Sequence, residues 1–452
     1  MVANERNDGA LDEEGRDCRM PVEISEVTLC PSDDLITAAS LGYPQTGPVD
    51  GYAFEVFGWV VGKAPVARVE FVHEQSVLAS CELTVSRPDV AAVYGTSPQV
   101  GFWKAIGTVG LEANFTIEVM AVFQDGRQGV IAEIHGVQQL TSAFTASMQP
   151  IMVTSPGRSG STLLMRMLAE HPDIIVEQRY PYETYACSYW MHFLQVLATP
   201  TGPSPLESHE FWTNPKLLPP FPYFFIDPAT GPIPPEQATL DRWYATDQVE
   251  EFARVAQAAV ESFYREYAGA RNRTTPPYFA EKIVPAGHIR RLIRQLYPQT
   301  REIFLFREPR DTVASVLAFH ARHKVTDGFG SQSVGTDEQL ISLVRESMLS
   351  ITQLWKRRSQ HDTLVRYEDL ICSSSEQIRG ILDALELDSS ADIVDSMVKV
   401  GKEATADMNS HRTSSGSQSS IGRWKWDLEP RLQKICDEVF DGLLDELDDN
   451  SC

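Results

Sequence analysis

The sequence has few cysteines, and their arrangement does not suggest a metal site. Seven cysteines are scattered over 452 residues, and no two of them form a Cys-x-x-Cys pair. An odd, dispersed set is typical of free thiols in a reducing compartment and argues against a disulfide framework. Because no His, Cys, Asp or Glu residues show the spacing of metal ligands, we expect no bound metal.

The sequence also lacks a long apolar segment and a leader peptide. No apolar run is long enough to cross a bilayer. The first 20 residues are polar and acidic, without the basic start and apolar stretch of a signal peptide. We therefore predict a cytoplasmic protein with no membrane span, in which residues 1–20 are disordered.

Basic residues are scarce. The chain has 39 Lys and Arg against 62 Asp and Glu, which gives a formal net charge of −23. Such a surface repels nucleic acids and anionic membranes, so neither is an expected partner. An anionic ligand would need a locally basic pocket. The length allows two or three domains, and the composition does not indicate an oligomeric state.

Residues 21–146 have the pattern of an all-β domain. Short segments rich in Val, Ile and Phe, such as YAFEVFGWVV and FTIEVMAVF, alternate with polar or Gly-containing turns. Several such strands in one stretch predict a β-sandwich. The stretch also resembles the small β-sandwich modules attached to bacterial glycosyltransferases, in the segments GWVVGKAPV, SRPDVAAVY and QVGFW. This resemblance implies an accessory domain without chemistry of its own.

From about residue 150 to 445 the pattern changes to alternating strands and helices. Apolar segments such as PIMVTS and REIFLFR are each followed by an amphipathic stretch. This alternation predicts an α/β domain with a mostly parallel sheet flanked by helices, and its ligands would bind beyond the carboxyl ends of the strands. Residues 180–245, dense in aromatics and prolines, are interpreted as a cap that binds the acceptor or as a packed insertion. Residues 404–420 are Ser-rich and flexible in composition.

A Gly/Ser loop follows the first strand of this domain. Its glycines allow a tight turn, its backbone N–H groups form an anion nest, and the next helix adds its positive dipole end. The loop is P-loop-like, but it has no lysine before the Ser-Thr pair, which disfavours Mg²⁺-nucleotide hydrolysis. The residues predicted to bind a phosphate group here are Gly157, Arg158, Ser159, Gly160, Ser161 and Thr162.

A second anion clamp is predicted further along the chain. Arg307 stands at a strand end, and Ser315 lies in the following helix, where it could fold back towards Arg307. Asp311, near the start of that helix, is interpreted as an ordinary N-cap. Two clamps at neighbouring strand ends would grip opposite phosphates of one nucleotide.

The ordered set of motifs resembles the sulfotransferases that use adenosine 3′-phosphate 5′-phosphosulfate (PAPS), in their bacterial and tyrosylprotein-type branch. The matching segments are PGRSGSTLLMRMLAEHP, FREPRDTVAS, LVRYEDL and SSIGRWKWDL. The resemblance implies that the Gly/Ser loop holds the 5′-phosphosulfate and that Arg307 and Ser315 hold the 3′-phosphate. It also implies that Tyr367 borders the adenine. Arg423 either adds a 3′-phosphate contact or is a surface arginine.

The same resemblance implies transfer of a sulfuryl group to a hydroxyl or amine of a small-molecule or glycan acceptor. Arg158 would neutralise the leaving phosphate. Lys282 either contacts the sulfuryl oxygens as well or is a surface lysine. Glu177 is the expected general base, with Glu183 and His288 as alternatives. A P-loop kinase or hydrolase and a non-catalytic carbohydrate-binding protein remain alternative functions.

Overall fold

The computed structural model describes most of the chain, and the chain divides into two compact units. The first contains residues 1–144 and 190–257, and the second contains residues 145–189 and 258–452. The expectations for all but the last of residues 1–20 and for much of the segment 180–245 fall outside the described residues. The described residues are 20–31, 34–74, 76–200, 239, 242–274, 276–283, 287–323, 335–403, 405, 413–414 and 416–443.

The first unit contains two antiparallel sheets. Strands β3-β1-β10-β9-β5-β6 form one sheet, and β2-β4-β8-β7 form the other. One helix, α1 (Pro88–Tyr94), precedes β8. The strands are β1 (Val22–Leu29), β2 (Ile36–Tyr43), β3 (Gly47–Val49), β4 (Ala53–Gly62), β5 (Val66–His73), β6 (Ser76–Cys81), β7 (Val85–Ser86), β8 (Gln99–Gly107), β9 (Asn114–Phe123) and β10 (Gln128–Gln138).

Alternating side chains build the core of this unit. Along β9, Phe115, Ile117 and Val119 are buried, while their neighbours face outward, as the period-two geometry of a strand requires. Phe71 of the larger sheet meets Phe102 of the smaller one edge to face, with ring centroids 6.4 Å apart. The predicted all-β N-terminal region is therefore confirmed.

The second unit contains a five-stranded parallel sheet in the order β12-β13-β11-β14-β15. Its strands are β11 (Gln149–Thr154), β12 (Ile174–Ile175), β13 (Tyr278–Ile283), β14 (Arg301–Phe306) and β15 (Thr363–Arg366). The helices after residue 150 are α2 (Ser161–Leu168), α3 (Ala186–Ala198), α4 (Gln248–Ala270), α5 (Gly287–Leu296), α6 (Pro309–His323), α7 (Asp337–Lys356), α8 (Tyr367–Cys372), α9 (Ser374–Ala384), α10 (Ala391–Lys402), α11 (Trp424–Asp427) and α12 (Pro430–Val439).

Both faces of this sheet are covered by helices. Ile303 and Leu305 of β14 pack in a cluster with apolar residues of α2, α9 and α10. Phe304 and Phe306 point to the other face and pack with residues of α6, α7 and α12. This explains why β14 is a continuous apolar run, since a strand of a doubly covered sheet has no solvent face. The predicted α/β fold with a parallel, helix-flanked sheet is confirmed.

The strand order brings three predicted site segments to one edge. β13, β11 and β14 are adjacent and parallel, so their carboxyl ends lie side by side. That edge therefore carries the loop after Thr154, the strand end at Lys282, and Arg307 directly after β14. This is the edge at which open parallel sheets bind ligands.

Candidate active site

The loop between β11 and α2 requires glycine at position 160. Gly160 has φ 94° and ψ 9°, in the left-handed region that favours glycine. A Cβ atom added there would lie 2.4 Å from Cδ2 of Tyr367. The backbone thus passes directly against the tyrosine ring. The first N–H groups of α2, including those of Ser161 and Thr162, face the turn without an intrahelical acceptor.

Arg158 joins this loop to helix α6. Its Nε lies 3.4 Å from Oγ of Ser315, and its guanidinium carbon lies 4.7 Å from the ring centroid of Phe319. Its backbone carbonyl accepts a hydrogen bond of 3.1 Å from Nη1 of Arg307. The structure therefore brings the two predicted clamps together, and Arg158 lies between them.

Arg307 is held beneath the loop. Only 5% of its surface is exposed, and its guanidinium lies over the ring of Tyr367 at 4.7 Å. Its Nη2 donates to the carbonyl oxygen of Ser420 at 2.6 Å, and the Tyr367 hydroxyl is bonded to Oγ of Ser420 at 2.9 Å. Tyr367 thus contacts both the Gly160 turn and the Arg307 guanidinium.

Arg423 is buried like Arg307, whereas Arg158 is half-buried. Arg423 is 4% exposed, so its interpretation as a surface arginine is wrong. Its Nη1 donates to Oγ1 of Thr413 at 2.7 Å, and its Nε donates to Asp427 at 2.6 Å. The predicted N-cap role of Asp311 is also wrong, because α6 begins two residues earlier, at Pro309, and the Asp311 carboxylate bonds to the chain around Arg423.

The electrostatics of this cluster favour an anion. Burial lowers the pKa of Arg158 and that of Arg307 below their ordinary values. The neighbouring charge of Arg307 lowers the pKa of Arg158 further, whereas Tyr367, Asp311 and Glu368 partly oppose the shift at Arg307. Among the described residues, the buried Oγ of Ser159 and Nε of Arg307 have no hydrogen-bond partner. Buried donors without acceptors are costly. The residues present therefore fit a ligand that carries phosphate groups.

Lys282 occupies the other side of the loop. Its ammonium donates to Oγ1 of Thr162 at 2.9 Å, to the carbonyl of Pro181 at 2.6 Å and to Oε1 of Glu183 at 2.9 Å. It is 6% exposed, so the surface-lysine interpretation is wrong. Burial lowers the pKa of Lys282, and the Glu183 carboxylate opposes that effect. A buried cation is thus placed beside the N-terminus of α2.

Sequence comparison decides the family of this chain. A family model described as "Sulfotransferase family" matches residues 150–391, which is more than half of the sequence. The chain belongs to the sulfotransferase family. No curated protein matches its sequence. In the described part of this sulfotransferase, no helix is long and apolar enough to cross a membrane, and no cluster of His, Cys, Asp and Glu is arranged to hold a metal ion.

Solved structures of other sulfotransferases are similar in fold. The sulfotransferase domain from the curacin biosynthetic pathway has 15% identity, covers 66% of this chain and 99% of its own, and gives a TM-score of 0.37. The domain of the Synechococcus PCC 7002 olefin synthase has 17% identity, 68% and 98% coverage, and a TM-score of 0.38. Mouse sulfotransferase SULT7A1, solved in complex with PAP, has 14% identity, 68% and 87% coverage, and a TM-score of 0.34.

The three candidate bases of this sulfotransferase have different surroundings. Both carboxylate oxygens of Glu177 accept bonds from the following segment, from the N–H of Arg179 and the hydroxyl of Thr184. Glu183 is paired with Lys282, and its side chain is 44% exposed. His288 is half-buried in the first turn of α5. The three donors of Lys282 are all used by other partners, so Lys282 does not bond to Glu177.

Sequence reasoning missed two residues of this site. Thr413 and Ser420 lie in the Ser-rich stretch that composition marks as flexible, yet their oxygens accept bonds from Arg423 and Arg307. A run of serines contains no signal that singles out either position. Only the fold shows which hydroxyl and which carbonyl meet the guanidiniums.

Proposed function

We propose that this sulfotransferase moves a sulfuryl group from PAPS to a hydroxyl or amine of a small-molecule or glycan acceptor. The observation that carries the proposal is the convergence of two buried guanidiniums, Arg307 and Arg423, with the half-buried Arg158 at a Gly/Ser loop. Residues 157–162 would hold the 5′-phosphosulfate of the donor. Arg307, Ser315 and Arg423 would hold its 3′-phosphate, and Tyr367 would border the nucleotide. Arg158, between the two groups, can serve either phosphate.

The chemistry requires that negative charge be stabilised at the leaving phosphate. PAPS supplies a sulfuryl group already activated by its bond to phosphate. The acceptor oxygen or nitrogen forms a bond to sulfur while the bond between sulfur and the phosphate oxygen breaks, in line. The N–H groups of α2, Arg158 and Lys282 are the fixed positive groups that could neutralise the charge on that oxygen.

A carboxylate base would take the proton from the acceptor, and the two candidates make different predictions. Glu177 is the candidate implied by family resemblance. Glu183 is favoured by its contact with Lys282, because Lys282 also contacts Thr162 at the start of α2. The ion pair orients the Glu183 carboxylate, and its exposure leaves it accessible to an acceptor.

Nucleotide binding tests the donor assignment. Isothermal titration should show that adenosine 3′,5′-bisphosphate (PAP) binds more tightly than ATP with Mg²⁺. The variants Arg158→Ala and Arg307→Ala should weaken PAP binding by about ten-fold or more, since each removes a charge-assisted bond. Arg127→Ala, at an exposed hairpin of the first unit, is the control. Tighter binding of ATP with Mg²⁺ would favour the kinase or hydrolase alternative instead.

Turnover tests the base. Labelled PAPS is offered with a panel of phenol, sugar, aliphatic alcohol and amine acceptors, and the rate is compared in Glu183→Gln, Glu177→Gln and the exposed control Glu376→Gln. Loss of the base should lower kcat by about 10²–10⁴-fold while PAP affinity is retained. A binding protein without catalysis would bind PAP and give no labelled product with any acceptor.

A further inference from the structure

A short C-terminal loop, residues 418–428, supplies several contacts of the donor site. It begins with a 3₁₀ turn, Gln418–Ser420, and ends with α11. The carbonyl of Ser420 accepts from Arg307, and its hydroxyl bonds to Tyr367. The same loop contains Arg423. The position of this C-terminal loop therefore determines two of the groups at the predicted 3′-phosphate end.

The Asp311 carboxylate of α6 anchors this loop by accepting hydrogen bonds from its backbone. The Asp311 side chain is fully buried, with 0% exposure. One carboxylate oxygen accepts from the N–H of Gly422 at 2.7 Å, and the other accepts from the N–H of Trp424 at 3.0 Å. These two amides flank Arg423 on both sides along the chain. Bonds from backbone N–H groups to a carboxylate are charge-assisted and stronger than neutral ones.

A neighbouring contact fixes the same segment. The Arg310 guanidinium lies 4.1 Å from the ring centroid of Trp424, and Arg310 is itself bonded to Glu308 and Asp437. Two consecutive residues of α6 thus contact the loop: Arg310 packs on the indole ring of Trp424, and Asp311 accepts hydrogen bonds from two backbone amides. Ser315, a predicted 3′-phosphate ligand, lies one turn further along the same helix. Helix α6 therefore couples the loop to the clamp.

We propose that Asp311 is a positioning residue that sets recognition of the donor's 3′-phosphate by anchoring the C-terminal loop. The inference rests on the proposed function, because it concerns the same nucleotide site. Asp311 does not touch the ligand in this proposal. It fixes the two peptide groups around Arg423 and, through the loop, the Ser420 carbonyl that orients Arg307.

The test compares two ligands that differ only in the 3′-phosphate. The dissociation constants of PAP and of adenosine 5′-phosphate (AMP) are measured by titration and ligand-observed NMR. The ratio of the AMP constant to the PAP constant reports how much the 3′-phosphate contributes to affinity. Asp311→Asn should lower this ratio about ten-fold or more, with little change for AMP. The control is Asp362→Asn, a buried carboxylate paired with Arg294 away from the clamp, which should leave the ratio unchanged.

The outcomes separate the two levels of the proposal. If the wild-type protein does not bind PAP, the proposed function fails. If it binds PAP and Asp311→Asn weakens PAP and AMP equally, only the positioning role is overturned. A wild-type measurement covers the case in which the variant does not fold: hydrogen exchange at the amides of Gly422 and Trp424 should slow with saturating PAP but not with saturating AMP. Equal protection by both ligands would also overturn the inference.

Discussion

The Gly160→Ala variant probes the close approach between the Gly/Ser loop and Tyr367. The substitution has two costs that the structure separates. Alanine in the left-handed region costs about 1–2 kcal/mol. The new methyl group would also lie 2.4 Å and 2.6 Å from two ring carbons of Tyr367, so the loop or the ring must move.

The ring has little freedom to move. Tyr367 is buried, its hydroxyl is bonded to Ser420, and Arg307 lies on its face. Overpacking of a well-packed site costs about 1–3 kcal/mol. The sum for Gly160→Ala is therefore about 2–5 kcal/mol of unfolding free energy. The matched control is Gly442→Ala, where φ is 69° and no described atom would contact the new methyl group, so only the backbone cost of about 1–2 kcal/mol applies.

Urea unfolding followed by tryptophan fluorescence measures both variants. The transition that belongs to the catalytic unit is identified as the one that PAP shifts to higher urea, since a ligand that binds only the native state stabilises it. Gly160→Ala should also weaken PAP binding, because the displaced loop carries the anion nest. Equal losses of stability in Gly160→Ala and Gly442→Ala would refute the inferred clash with Tyr367.

Two further predictions concern buried charges. Burial lowers the pKa of Lys282, and Glu183 only partly offsets this effect. On the alkaline limb of the pH–rate profile, activity should therefore be lost at a lower pH than that at which an exposed lysine titrates. In pH–rate profiles, Lys282→Arg should move that limb to higher pH, and Glu183→Gln, if still active, should move it to lower pH. Glu302→Gln should cost about 3–5 kcal/mol in urea unfolding, because Arg290 then faces no buried anion and Arg294 keeps only Asp362. Glu438→Gln, at an exposed ion pair with Lys434, should cost about 0–1 kcal/mol.

The sheet of the second unit could be predicted because its signals are local. Continuous apolar segments such as β14 indicate strands covered on both faces, and the amphipathic stretch after each indicates the crossover helix. The order of the strands does not follow from such local signals, yet the placement of Arg307 beside the Gly/Ser loop depends on it. The sequence predicted that Arg307 lies near the Gly/Ser loop only because the carboxyl ends of parallel strands meet at one edge of a sheet.

Exposure and partner choice at the site could not be predicted from sequence. Arg423 and Lys282 were each compatible with a surface position, since a single basic residue in a polar segment carries no burial signal. Arg158 was assigned to the first clamp by its place in the loop, but its side chain extends to Ser315 of the second. Side-chain direction at a residue with φ 65° depends on tertiary packing, here on Phe319, which lies far away in sequence.

The acidity of the whole chain and the basicity of the site are compatible because they act over different distances. A net charge of −23 repels an anionic nucleotide in bulk solution, but at physiological salt that field is screened within about 8 Å. Arg307 and Arg423 are buried and Arg158 is half-buried, and away from solvent screening is weaker, so each charge acts more strongly on a nearby phosphate. Their mutual repulsion is a cost in the ligand-free state, and a bound anion removes it. The proposed selectivity for a doubly phosphorylated nucleotide over other polyanions would therefore depend on the geometry of the site, because a surface of this charge gives no general attraction for anions.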